Sequence, residues 1–174
     1  MDSVVRNIER ATTSVGILAS LALIPLVIAT CYEVFARYVF GQPTIWAYEV
    51  GYFLTGTHFL LAMAFTLKSD EHIRIDIFSG HFSKRTRAVI DLVGYAVTLP
   101  TMIWLSYALW LHLAQGYARN EHSGQSAMNM PVWPFRVVFF VAFVLLALQI
   151  LAEVLKSLRR FREGGAAPAA KGAA

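Results

Sequence analysis

The chain has 174 residues, 57% of them hydrophobic and 15% charged, with a formal net charge of +4; an average globular domain carries roughly 25% charged residues. Uncharged runs cover Ala11–Tyr32 (22 residues), Val50–Leu67 (18), Leu92–Ala118 (27) and Val137–Ala152 (16), and about 18–20 apolar residues cross a bilayer core. Three runs pass outright; the fourth is extended by uncharged Met128–Phe135, because Arg136 can snorkel to the interface. The composition excludes a soluble domain and predicts an all-α membrane protein with four transmembrane helices.

The basic residues set the expected orientation. Arg6 and Arg10 precede the first span, and Lys68, Arg74, Lys84, Arg85 and Arg87 fill the loop between spans 2 and 3. Lys156, Arg159, Arg160, Arg162 and Lys171 follow the fourth span. The opposite side holds only Arg37, Arg119 and Arg136. The positive-inside rule then puts both termini in the cytoplasm, as an even number of spans requires. The basic excess is topogenic. A nucleic-acid partner would need a basic groove with stacking aromatics, and the pattern offers none.

Span 1 is expected over about residues 12–40, in a four-helix domain covering 1–163. Its apolar run exceeds the 7–15 residues of a signal-peptide core, and Cys31, the single cysteine, reads as a small apolar side chain. Pro25 in span 1 and Pro100 in span 3 should each bend their helix. Thr12, Gly16 and Ser20 recur at four-residue spacing, as do Ala47, Gly51 and Thr55 in span 2 and Gly94 and Thr98 in span 3. Such stripes let helices approach closely in lipid, and Gly16, Ser20, Gly51 and Thr55 are expected helix-packing positions. Glu33 and Arg37 stand in the favourable acid-first i, i+4 order. With Glu49 just beyond the Gly41–Thr44 turn, they are expected to clamp the hairpin between spans 1 and 2.

Span 2 is expected over about 46–67, span 3 over 84–117 and span 4 over 131–160. Trp46 and Trp133 fall at span ends, where indole rings favour the headgroup region. His58 is the one titratable group near the centre of a span, and His112 lies in span 3. Together they suggest an alternative, a b-type cytochrome or quinone-linked membrane anchor. Depth opposes it: His58 is about 18 Å from the Trp46 end of its helix and His112 about 8 Å from Tyr117, whereas axial ligands share a level. A hydrogen bond within the bundle is the expected role for His58. Asp91 and Glu153 read as interface charges beside Arg87 and Lys156. His72, Arg74 and Asp76 alternate with Ile73, Ile75 and Ile77, which suggests a short interfacial segment between helices 2 and 3. Residues 164–174 are Gly/Ala-rich, and a disordered tail is expected.

The order of three strings is more specific than any one of them. Arg37-Tyr38-Val39-Phe40-Gly41, then Trp46-Ala47-Tyr48-Glu49, then His72-Ile73-Arg74-Ile75-Asp76 resembles the small membrane subunit of tripartite ATP-independent periplasmic (TRAP) transporters, the DctQ-type family. The likeness extends over about residues 6–160, with Pro131-Val132-Trp133-Pro134 entering helix 4. Lys68-Ser69-Asp70-Glu71 departs from a stretch that is more often Gly-rich in that family. The resemblance implies a small permease subunit that braces a large membrane subunit. That large subunit would carry the substrate and coupling-sodium sites, with no cofactor on this chain. A periplasmic solute-binding protein would deliver the solute, an organic acid anion. It further implies that Arg37, Trp46 and Glu49 fix the outer hairpin, and that His72, Arg74 and Asp76 organise the cytoplasmic connection.

Overall fold

The computed structural model describes residues 2–69, 84–125 and 127–162. His72, Arg74 and Asp76, the expected interfacial segment and the expected tail lie outside them. Five helices follow in chain order: α1 (Asp2–Leu21), α2 (Leu23–Val39), α3 (Ala47–Lys68), α4 (Lys84–Ala118) and α5 (Trp133–Arg162). They provide four stretches long and apolar enough to cross a membrane, Ser3–Val39, Ala47–Lys68, Leu92–Ala118 and Trp133–Leu158. At 1.5 Å per residue α3 is about 33 Å long, close to the hydrocarbon thickness, whereas α4 is about 52 Å long. α4 therefore tilts or projects beyond the hydrocarbon.

α1 and α2 are two halves of one span, divided at Ala22. Pro25 explains the break. It has no N–H to offer the Leu21 carbonyl, and its ring crowds that carbonyl. The hydrogen-bond ladder loosens there: Ala22 N–H is shared between Leu18 O and Ala19 O, each at 3.2 Å, and Leu26 N–H reaches Ala22 O at 3.4 Å. At Pro100 the helix assignment is unbroken, and α4 runs through it as one helix.

The packing is inverted relative to a soluble bundle. The buried apolar residues are mostly alanines, among them Ala19, Ala29, Ala64, Ala142 and Ala152. Large side chains such as Ile28, Phe35, Phe59, Val97 and Trp104 lie on the outside. In lipid there is no hydrophobic drive to hide large apolar groups, so small residues go inside to let the backbones close up. α5 is the central helix, with 33% of its apolar window buried against 11%, 6% and 6% in the other spans. α3 packs against α1, α2 and α5, whereas the extensive contact of α4 is with α5. A small cluster of Ala64, Leu146 and Ile150, flanked by Leu99 and Met102, ties α3, α4 and α5 together.

Candidate subunit-docking site

For a chain whose polar groups sit mainly at helix ends, the candidate site is the frame that fixes those ends. At the hairpin end, formed by the 40–46 and 119–132 connections, Glu33 and Arg37 pair along one face of α2. Arg37 Nε and Nη2 donate to Glu33 Oε1 at 3.0 and 2.5 Å. The other carboxylate oxygen, Oε2, accepts Thr44 N–H at 2.8 Å and the Thr44 hydroxyl. One carboxylate thus holds the end of its own helix and the turn beyond it. Trp46 stands immediately before α3 and stacks on Tyr32 of α2, with ring centres 5.9 Å apart. Glu33, Arg37 and Trp46 thus lie together at this hairpin.

Glu49 does not belong to that clamp, contrary to expectation. Its side chain is buried, 1% exposed. Oε1 accepts the Ser123 hydroxyl at 2.6 Å and Oε2 accepts Met130 N–H at 2.9 Å. It therefore organises the connection between α4 and α5. The reason is the helical period. Glu49, Phe53 and Gly56 share one face of α3, and that face turns to α5, where the Phe135 ring lies tilted against Phe53, centres 5.1 Å apart, and fills the space over Gly56. The stripe Ala47, Gly51 and Thr55 lies on a different face, towards α2.

The 119–132 connection is a closed, hairpin-like loop. Ser123 N–H donates to Met130 O at 2.9 Å and Val132 N–H to Glu121 O at 3.1 Å. Asn120, Gly124 and Asn129 adopt positive φ, which asparagine and glycine tolerate best. Arg136, in the first turn of α5, pairs with Glu121 and donates from Nη1 to the His112 carbonyl at 3.1 Å. Gly116 leaves the room this guanidinium occupies; a Cβ there would overlap it.

At the opposite, terminal end bonds within α1 and α5 are linked by bonds between helices. Thr12 and Gln149 are fully buried, and the Thr12 hydroxyl donates to Gln149 Oε1 at 3.1 Å. Gln149 Nε2 donates to Glu153 Oε1 at 3.0 Å, and Lys156 Nζ bridges Glu153 at 2.5 Å and Glu9 at 3.0 Å. Lys68 Nζ donates to the Thr13 hydroxyl at 2.5 Å, and that hydroxyl donates to Glu9 O at 2.7 Å. The relay joins α1, α3 and α5 and puts the start of α1 beside the end of α5. The expected Glu153–Lys156 pair is part of it. The buried Thr12–Gln149 bond was not anticipated, although Gln149, a lone amide in the Val137–Ala152 run, is a legible signal.

The helix-packing positions divide. Gly16 is a true close approach: a Cβ there would stand 2.7–2.9 Å from Phe65 of α3. Gly51 is looser, with only Leu26 Cδ1 within reach at 3.9 Å, and Thr55 is exposed along a groove. Ser20 points outward and bonds to Ile17 O of its own helix, while Ala19 takes the buried place. Gly94 meets nothing within 4 Å.

His58 has the role expected of it. Its Nδ1 lies 2.9 Å from Ala19 O, across from α3 to the kink between α1 and α2. A carbonyl only accepts, so Nδ1 carries the proton in this bond. His112 is on the surface, and its contact with Arg136 uses its backbone oxygen. The two rings are not brought to a common site.

The model of the DctQ component of tripartite ATP-independent periplasmic transporters matches residues 26–160. No curated protein matches the chain in sequence. The match spans α2 through most of α5, and so includes the Glu33 clamp, Glu49 with its loop, and Gln149 with Glu153 and Lys156. This is a family of transport components and not of enzymes. The chain belongs to the DctQ family, the small membrane component of TRAP transporters.

Proposed function

We propose that this small permease subunit acts as a rigid brace for the large, sodium-coupled membrane subunit, which imports an organic acid anion handed over by a periplasmic solute-binding protein. The terminal end faces the cytoplasm in this reading, supported by the positive-inside count, and the hairpin end faces the binding protein. Family membership supports the two partners. The observation that carries the bracing role is how the polar groups at span level are used. Thr12, His58 and Gln149 serve the chain's own bonds between helices, and Glu153 ties Gln149 to Lys156, which reaches across to Glu9. Among the described residues, no buried side-chain polar atom is left without a partner. Interhelical bonds of this kind contribute about 0.6–1.7 kcal/mol each in membranes, which suits a stationary scaffold. Arg37, Trp46 and Glu49 shape the surface offered at the hairpin end. His72, Arg74 and Asp76 are proposed to organise the cytoplasmic connection.

The test is co-expression with the large membrane subunit and purification through a tag on this chain in mild detergent. A stoichiometric complex that persists at moderate salt, and transport in proteoliposomes only when both chains are present, is the expected result. A lone chain that transports by itself, or never captures the large subunit, would overturn the reading.

A further inference from the structure

A lateral groove of about 700 Å³ opens between α2 and α3 towards the hairpin end, within the roughly 300–1,000 Å³ range of small-molecule sites. Its floor is apolar and built from the small stripe of α3: Gly51 and Thr55 leave a slot against Leu26, and Phe135 closes it on the α5 side. Its mouth is polar: the Glu33 carboxylate and the Arg37 guanidinium paired with it line it together, so their charges cancel but donors are left over. Arg37 Nη1 has no hydrogen-bond partner among the described residues, because Glu33 takes Nε and Nη2. Tyr48 and Tyr52, about one turn apart on the groove wall, are exposed, and neither hydroxyl meets an acceptor among the described residues.

An apolar slot between two apolar helices, topped by the Glu33–Arg37 ion pair with its remaining guanidinium nitrogen and by two phenols, is complementary to a molecule with an apolar tail and an acceptor-rich head. We propose that the groove binds one glycerophospholipid of the leaflet at the hairpin end. An acyl chain lies along Leu26, Gly51 and Thr55, and the phosphate accepts from Arg37. The tyrosine hydroxyls donate to phosphate or ester oxygens. Arginine forms directional, charge-assisted bonds with phosphate. A partner helix could fill the slot but would bring no phosphate for the guanidinium. The inference rests on membrane insertion and not on the transport role.

The experiment is native mass spectrometry of the full chain purified in mild detergent, followed by titration with dioleoyl phosphatidylethanolamine and dioleoyl phosphatidylglycerol. One tightly retained phospholipid per chain is expected. Gly51→Leu and Thr55→Phe, which fill the slot, should each cut retention about tenfold, and Arg37→Gln should weaken it by a similar factor. Gly94→Leu on α4, remote from the groove, should leave it unchanged. Thr55 is exposed, so its variant keeps the test valid should Gly51→Leu fail to fold; helical content by circular dichroism checks each protein. Full lipid retention in folded Thr55→Phe and Arg37→Gln would overturn the proposal, as would a wild-type chain that retains none. In the co-expressed complex, a Thr55→Cys crosslink to the large subunit in place of a photoreactive lipid would assign the groove to a partner helix and also overturn it.

Discussion

The two ends of the bundle use carboxylates for different purposes. At the hairpin end Glu33 and Glu49 each accept a backbone N–H and a hydroxyl from a connecting segment, Thr44 in one case and Met130 with Ser123 in the other. They give loops their shape. At the terminal end Glu153 and Glu9 are bridged by Lys156 and continue through Gln149 to Thr12, so side chains meet side chains and the register of α1 against α5 is defined. A loop has orphan backbone donors that must be satisfied, whereas two helices have none to share and can only be joined through side chains. The bracing role proposed above would need both, one surface held in shape and one set of helices held in line.

The largest effect should come from breaking the first device. Glu49→Ala leaves a Met130 N–H and a Ser123 hydroxyl without their buried acceptor, and should destabilise by about 2–4 kcal/mol. Thermal unfolding in detergent would read this, with Glu49→Gln recovering part of the loss. A Glu49→Ala protein as stable as wild type would show that the loop holds itself. Next, Gly16→Leu forces α1 away from Phe65 and should cost about 1–3 kcal/mol, visible as a lower unfolding midpoint; Ser20→Leu, on the outward face, should leave the midpoint in place.

The second device is weaker per bond and needs a finer measurement. A double-mutant cycle of Thr12→Val and Gln149→Leu should give a coupling of about 0.6–1.7 kcal/mol. Zero coupling would mean that the helices keep register by packing alone. Smallest of all, Lys156→Met removes a partly exposed pair of ion contacts and should cost less than about 1 kcal/mol, declining as salt is raised. An effect as large as that of Glu49→Ala would reverse the ranking of the two ends.

What could be read in advance follows the range of each interaction. The Glu33–Arg37 pair is four residues apart, so helix pitch alone makes them neighbours. Glu153 and Lys156 meet for the same reason at a spacing of three. The inward turn of His58 follows from its depth, since a polar ring there needs a partner. Glu49 departs from the expected clamp because its nearest ionic neighbours in sequence are not those on its face of α3. Its true partners are 74 and 81 residues away. Ser20 was placed inward by a strict four-residue spacing, whereas an α-helix of 3.6 residues per turn brings Ala19 to the buried position after Thr12 and Gly16.

By itself the sequence determined the four stretches long and apolar enough to span and the helix-end pairs, because hydrocarbon thickness and helix pitch act on consecutive residues, and the order of its three motifs pointed to the family. The tertiary structure alone decided which face each helix turns to its neighbours. On that depend the Thr12–Gln149 bond across 137 residues, the capture of the α4–α5 loop by Glu49, and the groove that Gly51 and Thr55 leave open. A rotation of one residue about a helix axis, 100°, exchanges a buried partner for lipid, and only the packing of all the helices together sets that angle.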